Sequence, residues 1–489
     1  MRGDEIMTRL AMQPNAAPPH WRLGSDIDVI GITVDSRQVR PRMIFAALPG
    51  TRADGRDFIP AAVAQGAAAI LAPLGTEWPP GTPPRPLLLD ADPHRRLAEI
   101  AVHLAGPMPR RILAVTGTNG KSSTVDFLRQ ISVADGRKAA SIGTLGLIAS
   151  GFANIGTLTT PDPVTLAAQL ARLRQAGIDD VALEASSHGL EQRRLDGLRI
   201  ASAGFTNLTR DHLDYHGNIA AYRAAKLRLF DALLSAGAPV VAMSDLDAET
   251  MTALRNITRK RRLDLTTVGP GGSAIDLIDA IPTPQGQILH ISLNAGRRSI
   301  ELPLVGRFQA DNALLAAAMA HSNGIGRALD YLTALRAVRG RLQHVAKLPN
   351  NAAIYVDYAH TPDALERLLA ALRPHTEGRL ILVFGAGGDR DAGKRPLMGM
   401  VAAQQADQTV ITDDNPRHEN PAQIRAAIKA ACPNAIEIAD RRSAIAEALN
   451  GARRGDIVVV AGKGHEQGQI IGDTTIPFDD AAVIAALVG

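Results

Sequence analysis

The chain has 489 residues, of which 46% are hydrophobic and 21% charged, so it is long enough for about three domains that each bury a core. Its 53 basic and 49 acidic residues leave a formal net charge of +4, and only 3% of its residues are aromatic, which argues against a nucleic-acid-binding protein. The single cysteine, Cys432, excludes an intrachain disulfide and a cysteine zinc cluster.

The sequence predicts no membrane span, because it contains no run of about 18 apolar residues. Residues 1–13 lack the apolar core of a signal peptide. A lone cysteine is consistent with a reducing compartment. We therefore expect a soluble, cytoplasmic protein, and we expect it to be a monomer.

Residues 1–105 begin with strand-like pieces such as DVIGITVDSR and MIFAALPG, followed by proline- and glycine-rich stretches. The segment Leu104–Pro109, LAGPMP, is typical of a domain boundary. These features predict a small α/β domain at the start of the chain.

Residues 106–340 alternate between strands and helices. RILAV, DDVALEASSHG, ASAGFTNL and APVVAMSD are predicted strands, with Glu184 near the carboxyl end of the second. Asp162 can cap a helix that has Pro163 in its first turn and Leu166, Leu170 and Leu173 on one face. This alternation predicts a mostly parallel sheet with helices on both sides.

A second alternating block starts near Gly340. AAIYVDYAH, RLILVFG, QTVITDD and DIVVVAG are predicted strands, and Thr361-Pro362 opens a predicted helix that runs through Leu372. The block predicts a third α/β domain over residues 341–489.

The glycine-rich segment TGTNGKSST, residues 116–124, follows the strand RILAV and precedes a helix. Glycines let the backbone turn tightly and direct N–H groups at phosphate oxygens, and the helix N-terminus attracts anions. We predict a nucleotide phosphate loop in which Lys121 reaches the terminal phosphates and Ser122 ligates Mg²⁺. Val115 stands where the usual pattern has glycine. The predicted loop residues are Gly117, Thr118, Asn119, Gly120, Lys121, Ser122 and Ser123.

A second segment, residues 388–395, has the same glycine and lysine spacing. Arg395 stands where the pattern needs serine or threonine, so the segment has no hydroxyl for Mg²⁺. We reject it as the nucleotide loop.

The chain resembles the Mur ligase family from about Val34 to Glu466, through motifs that occur in the family's order: TGTNGKSST, EASSHGL, NLTRDHLDYHG, YRAAK, GRFQADNALLA, VDYAHTPD, GAGGDRDAGKRP, DDNPR and AGKGHE. The resemblance implies three α/β domains. They are a small UDP-muramoyl-binding domain (1–105), a central P-loop-type ATPase with a mostly parallel sheet (106–340) and a C-terminal Rossmann-like domain that binds an amino acid (341–489).

The resemblance also implies the reaction. ATP would phosphorylate the γ-carboxylate of D-glutamate in UDP-N-acetylmuramoyl-L-Ala-D-Glu, and meso-diaminopimelate would attack the acyl phosphate, in peptidoglycan precursor synthesis. Both steps gather negative charge, which metal ions and fixed cations stabilise.

Further site residues are implied only by the resemblance. The Mg²⁺ ligands would be Ser122, Glu184, His212 and a carbamate formed from CO₂ on Lys226. The catalytic set would be Lys121, Glu184, His212 and Lys226. Asn207, Asn312, Arg341 and Asp357 would contact the nucleotide. For His216 a structural role is the preferred interpretation.

The substrate residues are implied in the same way. The UDP dipeptide would contact Val34, Ser36, Thr51, Arg52, Ala53, Thr159, Thr160, Ser186, Gln192 and Arg194. Leu158 departs from the family, which often has a polar residue there. Arg390 and Arg417 would bind the distal carboxylate of diaminopimelate, since guanidinium groups pair with carboxylates through two hydrogen bonds. The rest of this predicted site is Asp414, Asn415, Pro416, Gly462 and Glu466.

Three alternatives remain open at this point. A ligase of the same fold could add L-lysine, and a folylpolyglutamate synthetase shares the phosphate loop and the glutamyl chemistry. The segments DSR and GTRADGRDFIP favour the UDP-binding interpretation of the first domain. A nucleotide-binding switch without ligase activity would have no need for a second metal site.

Overall fold

A computed structural model describes residues 20–21, 29–50, 53–153 and 158–489. The chain divides into two compact units, residues 1–267 with 318–326 and residues 268–317 with 327–489. Three large β-sheets, each accompanied by helices, follow one another along the chain. The expected α/β class with mostly parallel strand pairing is confirmed. The domain boundaries near residues 105 and 340 stay predictions.

The first sheet has five strands in the spatial order β1-β5-β4-β3-β2, parallel except for β1. Its strands are β1 His20–Trp21, β2 Gly31–Thr33, β3 Met43–Ala46, β4 Ala69–Pro73 and β5 Leu87–Asp90. Its helices are α1 Ile59–Ala64 and α2 Pro93–Ala105.

The central parallel strands of the first unit lie in the order β11-β10-β6-β9-β7, with β8 antiparallel to β7. The strands are β6 Arg111–Thr116, β7 Ala139–Gly143, β8 Gly146–Ile148, β9 Asp180–Glu184, β10 Ile200–Phe205 and β11 Pro239–Met243. The helices are α3 Lys121–Ala134, α4 Pro163–Gln175, α5 Ser187–Glu191, α6 Leu213–His216, α7 Ile219–Ala232 and α8 Ala248–Arg261.

The local predictions for α4 are confirmed. The Asp162 carboxylate accepts from the N–H groups of Val164 and Thr165, which would otherwise lack partners in the first turn. The three predicted leucines are buried, and Ala167 of the same helix joins the core beneath α2. The helix α4 therefore ties the first sheet to the central one.

Strands β6 and β9 are parallel neighbours and end at the same edge. This pairing brings the predicted phosphate loop after β6 beside Glu184, the last residue of β9. Ligands of α/β proteins bind beyond such carboxyl ends.

In the chain order, β12 Asp264–Gly269 leads into an antiparallel meander in the second unit. The remaining elements here are β13 Ile275–Thr283, β14 Gly286–Leu293, β15 Gly296–Leu302 and α9 Arg307–Ser322.

The third sheet has the order β16-β17-β21-β18-β19-β20 and is parallel except for β16. Its strands are β16 Gln343–Lys347, β17 Ala353–Asp357, β18 Leu380–Phe384, β19 Gln408–Ile411, β20 Ile436–Glu437 and β21 Ile457–Ala461, and a separate hairpin is β22 Gly468–Ile471 with β23 Thr474–Pro477. The helices are α10 Pro362–Leu372, α11 Lys394–Gln405, α12 Pro421–Lys429, α13 Arg441–Asn450 and α14 Asp480–Val488.

The predicted helix after Thr361 is confirmed, with the threonine hydroxyl capping Ala364. Apolar clusters cover both faces of the third sheet, one around Leu382 and the other around Val458. This double cover is what a parallel sheet needs, and it leaves the carboxyl ends of the strands for polar residues. In the part of the chain that the structure describes, no helix is both long and apolar enough to cross a membrane.

Candidate active site

The predicted phosphate loop between β6 and α3 depends on two glycines. Gly117 has φ 143° and Gly120 has φ 84°, conformations that other residues rarely adopt. A Cβ atom on Gly117 would lie 1.8 Å from Oγ1 of Thr206, so the loop also needs the absence of a side chain there. The loop leads directly into the N-terminus of α3, which begins at Lys121.

Asn207 and Thr206 hold the loop from the end of β10. The Asn207 carbonyl accepts from the N–H of Thr118 at 2.8 Å, and its side-chain oxygen accepts from the N–H of Asn119 at 3.0 Å. Thr206 Oγ1 donates to the Asn119 carbonyl at 2.6 Å. Asn207, predicted near the nucleotide, is therefore in direct contact with the loop.

Two lysine side chains meet at the carbonyl of Gly117. Lys121 Nζ donates to this oxygen at 3.0 Å and to the Thr118 oxygen at 2.8 Å. Lys226 Nζ donates to the Gly117 oxygen at 2.7 Å and lies 4.3 Å from the centroid of the Tyr222 ring. Lys226 is 1% exposed. Burial, assisted by the charge of Lys121, lowers the pKa of the Lys226 amine to about 6.

Glu184 joins the loop to the neighbouring strand. Ser122 Oγ donates to Glu184 Oε1 at 2.8 Å, and the same oxygen accepts from the N–H of Thr144 at 2.8 Å. A hydroxyl oxygen and a carboxylate oxygen lie together at a helix N-terminus, and Mg²⁺ takes such oxygen ligands. The predicted pair Ser122 and Glu184 therefore fits Mg²⁺.

Gly143 leaves the space that the Glu184 side chain occupies. A Cβ atom on Gly143 would lie 2.0 Å from Glu184 Oε1 and 2.6 Å from its Cδ and Cγ, so the whole carboxylate group would have to move. We expect Gly143→Ala to lower kcat and to raise the Mg²⁺ concentration needed for half-maximal activity. A magnesium titration of the activity measures both effects.

The matched control is Gly326→Ala, because a Cβ atom on Gly326 would meet nothing within 4 Å. It should behave like the unmodified enzyme. An unchanged magnesium dependence in a folded Gly143→Ala enzyme would contradict the assignment of Glu184.

His212 belongs to an aromatic group beside Lys226. Its ring lies 5.0 Å from that of His188 and 6.3 Å from that of Tyr222, and its φ is 52°. His216, in contrast, has a side chain only 1% exposed and lies 3.0 Å from Ser187 Oγ, as suits a structural role. The predicted metal ligands thus form two sets. Ser122 and Glu184 are joined by a hydrogen bond, and Lys226 and His212 both lie near the ring of Tyr222.

No group of three or more His, Cys, Asp or Glu side chains among the described residues is arranged to hold a metal ion. The predicted set is of another kind, since it combines one glutamate and one histidine with a serine and a lysine.

The residues predicted for the dipeptide connect to Glu184. Thr160 Oγ1 donates to the Glu184 carbonyl at 2.8 Å and lies 3.0 Å from Ser186 Oγ. Thr159 Oγ1 lies 3.0 Å from Thr144 Oγ1. Thr144 Oγ1 also donates to Glu184 Oε2 at 3.3 Å, so these hydroxyls form a polar row beside Glu184.

Arg194 extends this row. It donates to the Thr160 carbonyl at 2.6 Å and to the side-chain oxygen of Gln192 at 2.6 and 3.1 Å. Gln192 in turn donates to the hydroxyl of Tyr215 at 3.1 Å. The structure therefore brings all the dipeptide residues predicted from the central segment together.

In the first sheet, Val34 is 48% exposed and Ser36 begins a short 3₁₀ helix. The Ala53 carbonyl accepts from the N–H of Gly50 at 3.0 Å. Thr51 and Arg52, also predicted here, lie outside the described residues.

The three further nucleotide residues lie in the second unit. The Arg341 guanidinium lies 4.8 Å from the centroid of the Tyr358 ring. The Asp357 carboxylate accepts from the N–H groups of Leu342 at 2.7 Å and Ala359 at 2.8 Å, and burial raises its pKa. Asp357 therefore fixes the backbone that carries Arg341.

Asn312 is connected to the same backbone. Its side-chain amide lies 3.5 Å from that of Gln309, which donates to the carbonyl of Arg341 at 3.4 Å. Contacts of this kind position the predicted residues, and their roles toward a nucleotide stay predictions.

Arg417 follows β19 in the segment 414–417 and has φ 51°. It donates through Nη1 to the carbonyl of Gly388 at 2.7 Å. A Cβ atom on Gly387 would lie 2.9 Å from this guanidinium and 4.0 Å from Cγ of Arg390. The two predicted arginines therefore flank the same glycine turn.

Asp414 and Asn415 are buried between this turn and the end of β21. Asn415 donates to Glu466 Oε2 at 2.9 Å, and a Cβ atom on Gly462 would lie 3.0 Å from Asp414 Oδ2. The chain reverses at Pro416, whose carbonyl lies against Gly388. The structure thus gathers the residues predicted for the incoming amino acid at one edge of the third sheet.

The rejected glycine and lysine pattern contributes to this edge. Arg395 is buried and pairs with Glu419 at 2.8 Å, and Lys394 donates to the carbonyl of His360 at 3.0 Å. These contacts hold the loop before α11 in place.

Sequence reasoning missed Thr144, Tyr222 and Lys463. Thr144 follows directly after β7, as ligand-binding residues often do in parallel sheets, which was a usable signal. Tyr222 and Lys463 lie inside the motifs YRAAK and AGKGHE, close to residues that the resemblance implies, Lys226 in the first motif and Glu466 in the second.

Comparison with known proteins agrees with this geometry. Three family models match the chain: the Mur ligase family catalytic domain over residues 28–79, the Mur ligase middle domain over 115–320 and the Mur ligase glutamate ligase domain over 340–464. A protein of Caulobacter vibrioides described as UDP-N-acetylmuramoyl-L-alanyl-D-glutamate–2,6-diaminopimelate ligase is 50% identical, over 95% of this chain and 96% of that protein. The chain belongs to the Mur ligase family. A protein of Mesorhizobium japonicum with the same description is 47% identical over 96% of both chains.

Solved structures agree with this membership and with the three-domain α/β fold of Mur ligases. A structure described as UDP-N-acetylmuramoyl-L-alanyl-D-glutamate–2,6-diaminopimelate ligase has a TM-score of 0.74 at 33% identity and covers 100% of this chain and 98% of its own. The MurF ligase of Thermotoga maritima, in complex with ADP, has a TM-score of 0.60 at 18% identity and covers 94% and 96%. A folylpolyglutamate synthase of Mycobacterium tuberculosis, at 19% identity and TM-score 0.59, covers 76% of this chain and 92% of its own, and shows likeness of fold alone.

Proposed function

We propose that this Mur ligase uses ATP to add meso-diaminopimelate to the γ-carboxylate of D-glutamate in UDP-N-acetylmuramoyl-L-Ala-D-Glu, releasing ADP and phosphate. The observation that carries the proposal is the match, over nearly the whole chain, to ligases described by this reaction. The paired arginines at the third sheet supply the charge that a second carboxylate on the incoming amino acid requires. The product is a precursor of peptidoglycan, made in the cytoplasm, and a monomeric enzyme remains our prediction.

The phosphate loop provides the first step. The helix N-terminus after Gly120 and the ammonium of Lys121 stabilise the negative charge that collects as the γ-phosphoryl group is transferred to the carboxylate. Mg²⁺, held by Ser122 and Glu184, would supply further positive charge to the phosphate oxygens. Asn207 keeps the loop backbone fixed through its contacts with Thr118 and Asn119.

The acceptor carboxylate needs a defined position beside the loop. The polar row that contains Thr159, Thr160 and Ser186 supplies hydroxyl groups close to Glu184. Arg194, at the far end of the row, supplies a guanidinium suited to an anionic group of the dipeptide. This arrangement would direct the γ-carboxylate toward the phosphate loop.

Lys226 is proposed to react with CO₂, which forms an N–C bond and releases one proton to give a carbamate. Only a neutral amine attacks CO₂, and a pKa of about 6 leaves most of the Lys226 amine neutral at neutral pH. The carbamate replaces a buried neutral amine with an anion, which together with His212 would hold a second Mg²⁺.

Selectivity for diaminopimelate is proposed to come from Arg417 and Arg390. The distal carboxylate of diaminopimelate pairs with their guanidinium groups, whereas lysine brings only another positive charge. Glu466 and the Gly462 region would take the distal ammonium.

We expect Arg417→Ala to raise the KM for diaminopimelate roughly 30-fold or more, because losing a charged pair in an enclosed site costs about 2–5 kcal/mol. The KM for the UDP dipeptide should change little. Steady-state kinetics with each substrate varied in turn measures both values. Arg442 is an exposed arginine on α13, so Arg442→Ala is the control and should leave both KM values unchanged. Equal increases in the two KM values would contradict the role of Arg417.

The function itself is tested by mass spectrometry of the product formed from ATP, the UDP dipeptide and an equal mixture of L-lysine and meso-diaminopimelate. The proposal is supported if the product is heavier than the UDP dipeptide by the mass of diaminopimelate minus one water. A lysine adduct would overturn the selectivity, and phosphate release that ignores the dipeptide would overturn the ligase reaction.

A further inference from the structure

Lys463 is a buried lysine at the carboxyl end of β21, and the mechanism above does not use it. It is 0% exposed, between the loop after β19 and the start of the hairpin β22–β23. Burying an ammonium group is costly unless anions and hydrogen-bond acceptors surround it. Its position beside the predicted amino-acid site therefore needs an explanation.

Acceptors from three segments surround the ammonium. Lys463 Nζ donates to Asn415 Oδ1 at 2.8 Å and to the carbonyl of Gly468 at 2.7 Å. It also lies 3.4 Å from Asp414 Oδ1 and 3.7 Å from Glu466 Oε2. Both carboxylates belong to the set predicted to receive the incoming amino acid.

These contacts fix the side chain of Asn415. Its Oδ1 accepts from Lys463 and from the N–H of Ile470 at 3.0 Å. Rotating the amide by 180° would place its NH₂ group against two donors, so the NH₂ group must point to Glu466 Oε2, 2.9 Å away. Lys463 therefore orients Glu466 through Asn415.

Lys463 also sets the charge of the site. Asp414 and Glu466 supply two carboxylates around Lys463, whose ammonium compensates one of them. Two other cations act on Asp414, Lys394 and Arg441, and each also faces an aspartate outside this set, Asp391 and Asp480. One net negative charge then remains for one ammonium group, while Arg417 and Arg390 stand ready for a carboxylate. This balance matches a ligand end that carries one ammonium and one carboxylate.

We propose that Lys463 is a positioning and selectivity residue, which orients Asn415 and Glu466 and keeps the site from accepting a plain cation such as L-lysine. The inference rests on the proposed function and deepens it. Without Lys463 the site gains one negative charge, and attraction for a cationic side chain rises.

The test compares kcat/KM for meso-diaminopimelate with kcat/KM for L-lysine in Lys463→Met, Lys463→Gln and the unmodified enzyme. We expect both variants to raise the KM for diaminopimelate and to lower the diaminopimelate-to-lysine ratio at least tenfold. The KM values for ATP and the UDP dipeptide should be unchanged. A general loss of packing would lower both activities together and leave the ratio unchanged.

The double variant Lys463→Met with Glu466→Gln restores one net negative charge and should recover part of the ratio. Glu466→Gln alone removes a carboxylate while Lys463 stays, so it should disfavour lysine further, and it provides the measurement if the Lys463 variants do not fold. An unchanged ratio in a folded Lys463 variant, or in Glu466→Gln, overturns the inference. Absence of diaminopimelate-dependent activity in the unmodified enzyme would instead overturn the proposed function.

Discussion

Lys121→Ala should yield a folded protein whose dipeptide-dependent phosphate release is lower by at least about 10²–10³-fold. The ammonium lies against the carbonyls of Gly117 and Thr118, inside the glycine turn that precedes α3. Replacing it with a methyl group removes a full positive charge from the place where the transferring phosphoryl group gains negative charge. The core beneath the loop stays intact, since the side chain is only half-buried.

Phosphate release and thermal unfolding should be measured on the same preparations. Lys260→Ala is the matched control, because the Lys260 side chain is 75% exposed on α8. It should retain normal activity. Near-normal turnover by Lys121→Ala with a native circular dichroism spectrum would show that this segment is not the phosphate loop of the enzyme.

The sequence predicted best what depends on neighbours in the chain. Asp162 caps α4 and Thr361 caps α10, because a capping oxygen only has to reach N–H groups two or three residues ahead. The position of Glu184 at a strand end was predicted equally well from a buried apolar run. The glycine turn between β6 and α3 could be predicted because strand, turn and helix follow directly on one another.

Contacts between distant segments could not be predicted from local patterns. Thr144 and Glu184 are 40 residues apart in sequence and meet only because β7 and β9 are parallel neighbours. Gly143 is the last residue of β7, and a residue with a side chain would not fit there, because its Cβ atom would collide with the Glu184 carboxylate. The burial of Lys226 likewise follows from how α7 packs, and its residue type alone would suggest a solvated lysine.

Asp357 shows the same limit from the opposite direction. The family resemblance implies contact with the nucleotide, which stays a prediction, and the structure adds that each carboxylate oxygen accepts from a backbone N–H group of the chain itself. The sequence alone does not show whether a carboxylate at a strand end binds a ligand, the backbone or both.

Lys226→Ala should be nearly inactive in amide formation, and short carboxylic acids such as acetate or propionate should restore part of the activity. The substitution removes the amine that would carry the carbamate and leaves space next to Tyr222 and the carbonyl of Gly117. A small carboxylate that enters this space brings the two oxygens that the carbamate would have supplied. Product formation measured against increasing acid concentration gives the degree of rescue.

The neighbouring lysine separates this explanation from a general effect of the acids. Lys121→Ala loses a positive charge, so an added carboxylate cannot replace its function and should not restore activity. Labelling the unmodified enzyme with ¹³CO₂ should give a carbamate resonance that Lys226→Ala lacks and Lys260→Ala keeps. Rescue depends on whether an acid can reach the buried space, so a failure of rescue alone would not contradict the carbamate. Fully active enzyme without the carbamate resonance would show that Lys226 acts as a free amine, and the second Mg²⁺ would then need a different anionic ligand.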